Sequence, residues 1–205
     1  MHEYSTKKNK NMFLFWLSVI SVIIASFVMP FLNEMVRKCN FQNFAQLANI
    51  LGLSFSASIV YTVIYFLVSH LLWKARCVQK ILGIPNLSGK WECVGKGRKH
   101  EKSDINQWCG TIEIQQTMDK ILITLKTKDS NSTSKSLLAG LNTISITECE
   151  LLYRYENEPH VEVQELHRHT GSCSLIFDLK HNTAKGIYFT DKDRLSFGIM
   201  ELRKE

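Results

Sequence analysis

Acidic residues are scarce at the start of this chain. Before Ile81 only Glu3 and Glu34 carry negative charge, against eight lysines and arginines, whereas from Ile81 onward the two signs balance at 17 each. The formal excess of +6 therefore belongs to the first 80 residues. A neutral remainder excludes the basic domain that coats DNA or RNA, so no nucleic-acid polymer is expected as a partner. Charge of either sign is missing from residues 12–32 and again from residues 39–73. Catalytic signatures are missing too. There is no G-x-S-x-G, no Walker A loop, no G-x-G-x-x-G and no H-E-x-x-H, and each of these chemistries needs its spacing. The chain is read as a non-enzyme with no catalytic residue and no cofactor. Its six cysteines contain no C-x-x-C pair, which excludes a thioredoxin-like motif and the paired-cysteine zinc sites.

What is present begins with lipid-compatible sequence. MFLFWLSVISVIIASFVMPFL, residues 12–32, is 21 residues long and would span about 30 Å as a helix, roughly the hydrocarbon thickness. LANILGLSFSASIVYTVIYFLVSHLLW, residues 47–73, is the second such run. Both exceed the usual length of a core helix, and the first has no Ala-x-Ala site after it to mark a cleaved signal peptide. Two membrane spans are expected, because in lipid a helix satisfies its own backbone. Lys7, Lys8 and Lys10 precede the first and Lys74, Arg76 and Lys80 follow the second. Basic flanks mark the cytoplasmic side, so both termini are expected in the cytoplasm of a multi-pass membrane protein. Cys77, Cys93, Cys109, Cys149 and Cys173 would then be thiols, and only Cys39 would face an oxidising space. Gly52, Ser54, Ser56 and Ser58 would permit close helix–helix approach, a route to self-association.

A Gly and a Pro in residues 82–87 end the helical pattern, and the period changes to two. Trp91 and Cys93 share one face; Ile112 and Ile114, then Ile121 and Ile123, do the same, joined by a short M-D-K turn. KDSNSTSKS from Lys128 reads as a mobile loop. Six further segments follow: SLLAGLNTISIT, CELLYRYEN, VEVQELHRH, SCSLIFDLKH, AKGIYFTD and RLSFGIMELRK. Closing one sheet on itself removes its edges, so an eight-stranded antiparallel β-barrel is the expected fold; a two-sheet sandwich is the rival that periodicity does not separate. The organisation is a membrane module at 1–83 and a cytosolic barrel at 84–205.

Two clusters carry possible chemistry. ELHRHTGSC puts His167 and His169 on one strand face with Glu165 beside them and Cys173 nearby, but a metal site needs further ligands at suitable spacing, and no metal is expected. Tyr153 and Arg154, with Lys185, Tyr188 and Arg194, combine rings with cations. Stacking plus guanidinium forks can hold a base and a phosphate, so these five are the ligand-binding candidates.

The order of modules resembles the two-transmembrane β-barrel effectors of bacterial cyclic-oligonucleotide anti-phage systems, the CD-NTase-associated membrane effectors with a STING-like role. LSGKWE at 87–92 and GIYFTDKDRLSFGIM at 186–200 are the local pieces that carry it. The resemblance implies a barrel that binds a cyclic dinucleotide made by an associated cyclic-oligonucleotide synthase. It also implies protomers that associate through their spans and disrupt the lipid bilayer to abort infection. G-x-W at 89–91 equally resembles the lipocalin opening, which leaves a membrane-anchored binder of a lipid or other hydrophobic ligand as the alternative.

Overall fold

The structure, a computed structural model, describes residues 1–6, 10–38, 57–99, 105–128, 132–145, 147–158, 169–191 and 195–205. The chain forms two units: Met1–Lys8 together with Gly83–Glu205, and Asn9–Leu82. The first eight residues, grouped above with the membrane module, thus go with the sheet.

The second unit is helical. Helix α1 (Lys10–Lys38) has 29 residues and contains Pro30. Its stretch Asn11–Val28 is long and apolar enough to cross a membrane, and Phe15, Trp16, Phe27 and Phe31 are all exposed on it. An aqueous surface would not carry so many large rings. Its polar side chains are satisfied within the helix: the Ser18, Ser21 and Ser26 hydroxyls donate to the carbonyls of Phe15, Leu17 and Ile23, as a lipid environment requires. Helix α2 (Ala57–His70) is apolar but shorter than a full span. The remainder of the second expected span, residues 47–56, lies outside the described residues. A 3₁₀ turn at Leu72–Lys74 and helix α3 (Arg76–Leu82) follow.

The first unit is one nine-stranded sheet: β1 (His2–Thr6), β2 (Gly89–Lys99), β3 (Ile105–Gln116), β4 (Lys120–Thr127), β5 (Thr133–Thr143), β6 (Glu148–Glu158), β7 (His169–Asp178), β8 (Thr183–Thr190) and β9 (Ser196–Lys204). β2 to β9 are antiparallel neighbours, with β2 also paired to β9. The β4–β5 pairing, Thr124–Lys126 on Lys135–Thr133, returns the circuit to its start. Two details correct the expected eight antiparallel strands. A ninth strand exists, and it is partly parallel: β1 pairs antiparallel with β4 through His2 and Glu3, then parallel with β5 from Tyr4 to Thr6. β4 and β5 are joined to each other only at the end away from β1, and β1 fills the gap where they diverge. The segment expected as VEVQELHRH falls, apart from His169, outside the described residues.

Period-two burial explains why these sequences make this sheet. Trp91, Ile112, Ile114, Ile121, Leu151 and Leu175 are fully buried on the inner face. Trp91 meets Phe177 edge-to-face, with ring centroids 4.9 Å apart and planes at 82°, a pair worth about 0.5–1.5 kcal/mol beyond its area. The indole N–H donates to the Leu87 carbonyl at 3.0 Å, so the ring's one polar atom is satisfied. The β7–β8 turn places Asn182 at φ 55°, a left-handed conformation that Asn tolerates better than most residues.

Candidate functional site

The inner face changes character along the strands. Around the start of β2 it is Trp, Ile, Leu and Phe. Toward the other end the same inward register holds Gly95 and Gly97 on β2, Gly171 on β7 and Gly198 on β9. Each position makes room for a ring. A Cβ on Gly95 would collide with the Trp108 indole, one on Gly97 with the Tyr188 hydroxyl, and one on Gly171 with the Tyr155 hydroxyl. Glycine here is a spatial requirement, since neighbouring aromatics occupy the volume a side chain would take. Gly95–Gly97 therefore lies inside β2, which runs on to Lys99.

Four aromatic rings with polar handles gather at this end. The Trp108 indole N–H donates to the Tyr188 hydroxyl at 3.1 Å, with centroids 5.8 Å apart and planes at 73°. Tyr153 and Tyr155 lie 6.2 Å apart, tilted by 52°. Tyr153 is nearly fully buried, and burial holds its hydroxyl well above the usual phenol range, with the Cys173 thiol adding to the effect. Beyond them the lining turns polar: the Ser134 hydroxyl donates to Asn157 Oδ1 at 2.8 Å. Asn157 is 3% exposed, and its amide Nδ2 has no hydrogen-bond partner among the described residues. A buried donor of this kind carries a desolvation cost of about 1–3 kcal/mol until something accepts from it. β2, β4, β6 and β8 end at this side of the sheet, where β3, β5, β7 and β9 begin.

The sequence-derived candidates divide between the faces. Tyr153 and Tyr188 lie on the inner face with Trp108 and Tyr155. Arg154 points outward; its guanidinium donates to Asp191 Oδ2 and to the Thr170 hydroxyl, both at 3.2 Å. Lys185 also lies outside, 3.0 Å from Glu201, whose carboxyl it holds below the usual range. Arg194 lies outside the described residues. So do His167 and Glu165, while His169 opens β7 and Cys173 is buried in the core. Among the described residues no group of three His, Cys, Asp or Glu side chains could hold a metal.

Sequence reasoning missed Trp108 and the Ser134–Asn157 pair, and noted Tyr155 only as the neighbour of Tyr153 and Arg154. The usable signal was glycine recurring at the inward phase of β2, where an apolar side chain would be expected. A separate concavity of about 350 Å³ lies on the outer face, lined by Lys90, Thr111, Glu113, Thr124, Lys126 and Lys128. It is polar and lacks rings.

Residues 82–204 match the family described as Cap15, cyclic dinucleotide receptor domain. A CD-NTase-associated protein 15 from Yersinia aleksiciae is 34% identical over 149 residues, covering 73% of this chain and 69% of that protein.

Proposed function

The chain belongs to the Cap15 cyclic dinucleotide receptor family, and from that premise we propose that it is a membrane effector of bacterial anti-phage signalling. In this reading the sheet is an eight-stranded barrel with β1 added. It binds a cyclic dinucleotide among Trp108, Tyr153, Tyr155 and Tyr188. The helices then associate, and the inner membrane loses integrity. The observation that carries the site is the ring cluster facing inward beside the orphaned Asn157 amide. Two bases can stack on such rings, each worth about 1–3 kcal/mol. The phosphates require cations; Lys102, Arg168, Lys192 and the sequence candidate Arg194 lie outside the described residues. The lipid-carrier alternative would need an apolar hollow, and the filled interior around Trp91 and Phe177 weighs against it.

The path of the chain supports the topology. Residues 2–6 pair with β4 and β5, so the segment at 10–82 leaves one folded body and returns to it. It therefore crosses any membrane an even number of times, which fits two spans, and the basic flanks put the sheet in the cytoplasm. A cyclic-oligonucleotide synthase is the functional partner. Ligand drives association only to the extent that it binds the assembled state better than the resting one.

Calorimetry on the full chain in nanodiscs, against a panel of cyclic dinucleotides, tests this. At least one should bind; Trp108→Ala and Tyr188→Ala should each weaken it about 10- to 100-fold, and Lys126→Ala in the outer concavity should leave it unchanged. Absence of binding across the panel, or loss only with Lys126→Ala, would sink the proposal.

A further inference from the structure

Both lines of chain that connect the sheet to the helical unit are fastened by one side chain. Gln116 ends β3 and is 6% exposed. Its Oε1 accepts from the Leu87 N–H at 2.8 Å, and its Nε2 donates to the Pro85 carbonyl at 3.1 Å and to the Tyr4 hydroxyl at 3.3 Å. Both hydrogen-bonding atoms of the amide are thereby engaged with two separate stretches of the first unit, Pro85–Leu87 and Tyr4. Tyr4 completes the node: 6% exposed, it directs its hydroxyl to the Met118 and Thr117 carbonyls at 2.9 and 3.2 Å. The segment entering from α3 has a second fastening, the Thr143 hydroxyl on the Gly83 carbonyl at 2.7 Å. Leu87 in turn accepts from the Trp91 indole, so the node reaches the largest ring of the core.

We infer that Gln116 is a positioning residue that holds the leads into α1 and out of α3 in one fixed relation to the sheet, and through which the state of the sheet reaches both helices. The inference rests on the reading above for what the sheet senses. The same strand carries Trp108 toward the opposite end, so a displacement of β3 by ligand moves the amide that grips both leads. Buried amides are well suited to this. Their bonds are worth little net while made, yet leaving buried partners unpaired costs more than the bonds return, which gives the node two distinct states, fastened and released. No group of the node titrates near neutrality, so the device responds to geometry.

Gln116→Leu keeps the volume and removes the three bonds. Hydrogen exchange on the full chain in nanodiscs should show residues 2–6 and 83–88 exchanging at least tenfold faster, with β6 and β7 unaltered. Affinity for whichever cyclic dinucleotide binds the native chain should stay within about twofold, while ligand-driven crosslinking between protomers falls at least tenfold. Tyr4→Phe, which removes only the hydroxyl, should move exchange and crosslinking in the same direction by a smaller factor, and serves if the first variant does not fold. Exchange that rises in one lead alone would overturn the inference. So would loosening of both leads with crosslinking unchanged, or loss of affinity equal to the loss of crosslinking. If no dinucleotide binds the native chain, the functional reading fails on calorimetry alone, and exchange in the two leads still decides whether Gln116 fastens them.

Discussion

Alkali should dismantle this sheet from within. Cys93, Cys149 and Cys173 are at most 2% exposed, and burial pushes each thiol up to about 12 from an ordinary value of 9.0. The Tyr153 and Tyr4 hydroxyls are raised as well, again chiefly by burial. A folded-state value above the unfolded one means the folded chain keeps its proton where the unfolded chain has lost it. The stabilisation is therefore complete below about pH 9 and disappears as pH climbs toward 12. At about pH 10.5 each thiol costs roughly 2 kcal/mol, and three together cost roughly 6, a large share of the 5–15 kcal/mol that holds a typical domain. For a unit of about 130 residues that loss lowers the melting temperature by about 20 °C. Circular dichroism melts of the full chain in a neutral detergent, following the sheet signal from about pH 8 to 10.5, measure it. Cys149→Ala should recover about a third of the fall, since Cys149 owes its shift to burial alone. A melting temperature that moves by less than about 5 °C across this range would refute the idea that these thiols sit in a dry, closed interior.

Other expectations concern packing. Phe177→Ala should cost about 3–5 kcal/mol, because the ring is fully buried and forms half of the Trp91 pair; chemical denaturation should show a lower midpoint with little change in slope. Gly97→Val places a side chain where the Tyr188 hydroxyl now lies. It should cost about 1–3 kcal/mol and abolish dinucleotide binding in calorimetry, whereas Gly140→Ala, which meets nothing nearby, should do neither.

Strand phase was legible wherever apolar residues alternate over several turns of the pleat. Ile112 with Ile114, and Ile121 with Ile123, are buried as their spacing implies. β1 was not legible. HEYST offers one buried residue, Tyr4, and the strand's partners, Ile121 opposite His2 and Ala139 opposite Tyr4, lie more than 115 positions away, so no local pattern announces it. The candidate site shows a different limit. Tyr153, Arg154 and Tyr155 are consecutive, and successive strand residues face opposite ways, so a ring–cation–ring triplet cannot serve one ligand from one face. Lys185 and Tyr188 are three apart and divide in the same manner. Residue chemistry picked out β6 and β8, and parity then sorted Tyr153 and Tyr188 inward and Arg154 and Lys185 outward. The glycines were visible as letters, but their meaning depends on the rings that fill their space from adjacent strands.

The position of β1 also sets an order of events during synthesis. The first strand to leave the ribosome is among the last to find its place, because β4 and β5 are made only after the whole helical segment. Residues 2–6 must therefore wait, unpaired, until β4 and β5 have been made. Closing so long a loop favours late docking over early nucleation. The helical segment is thus complete before the sheet can close, so the unit whose residues appear first is the one finished last.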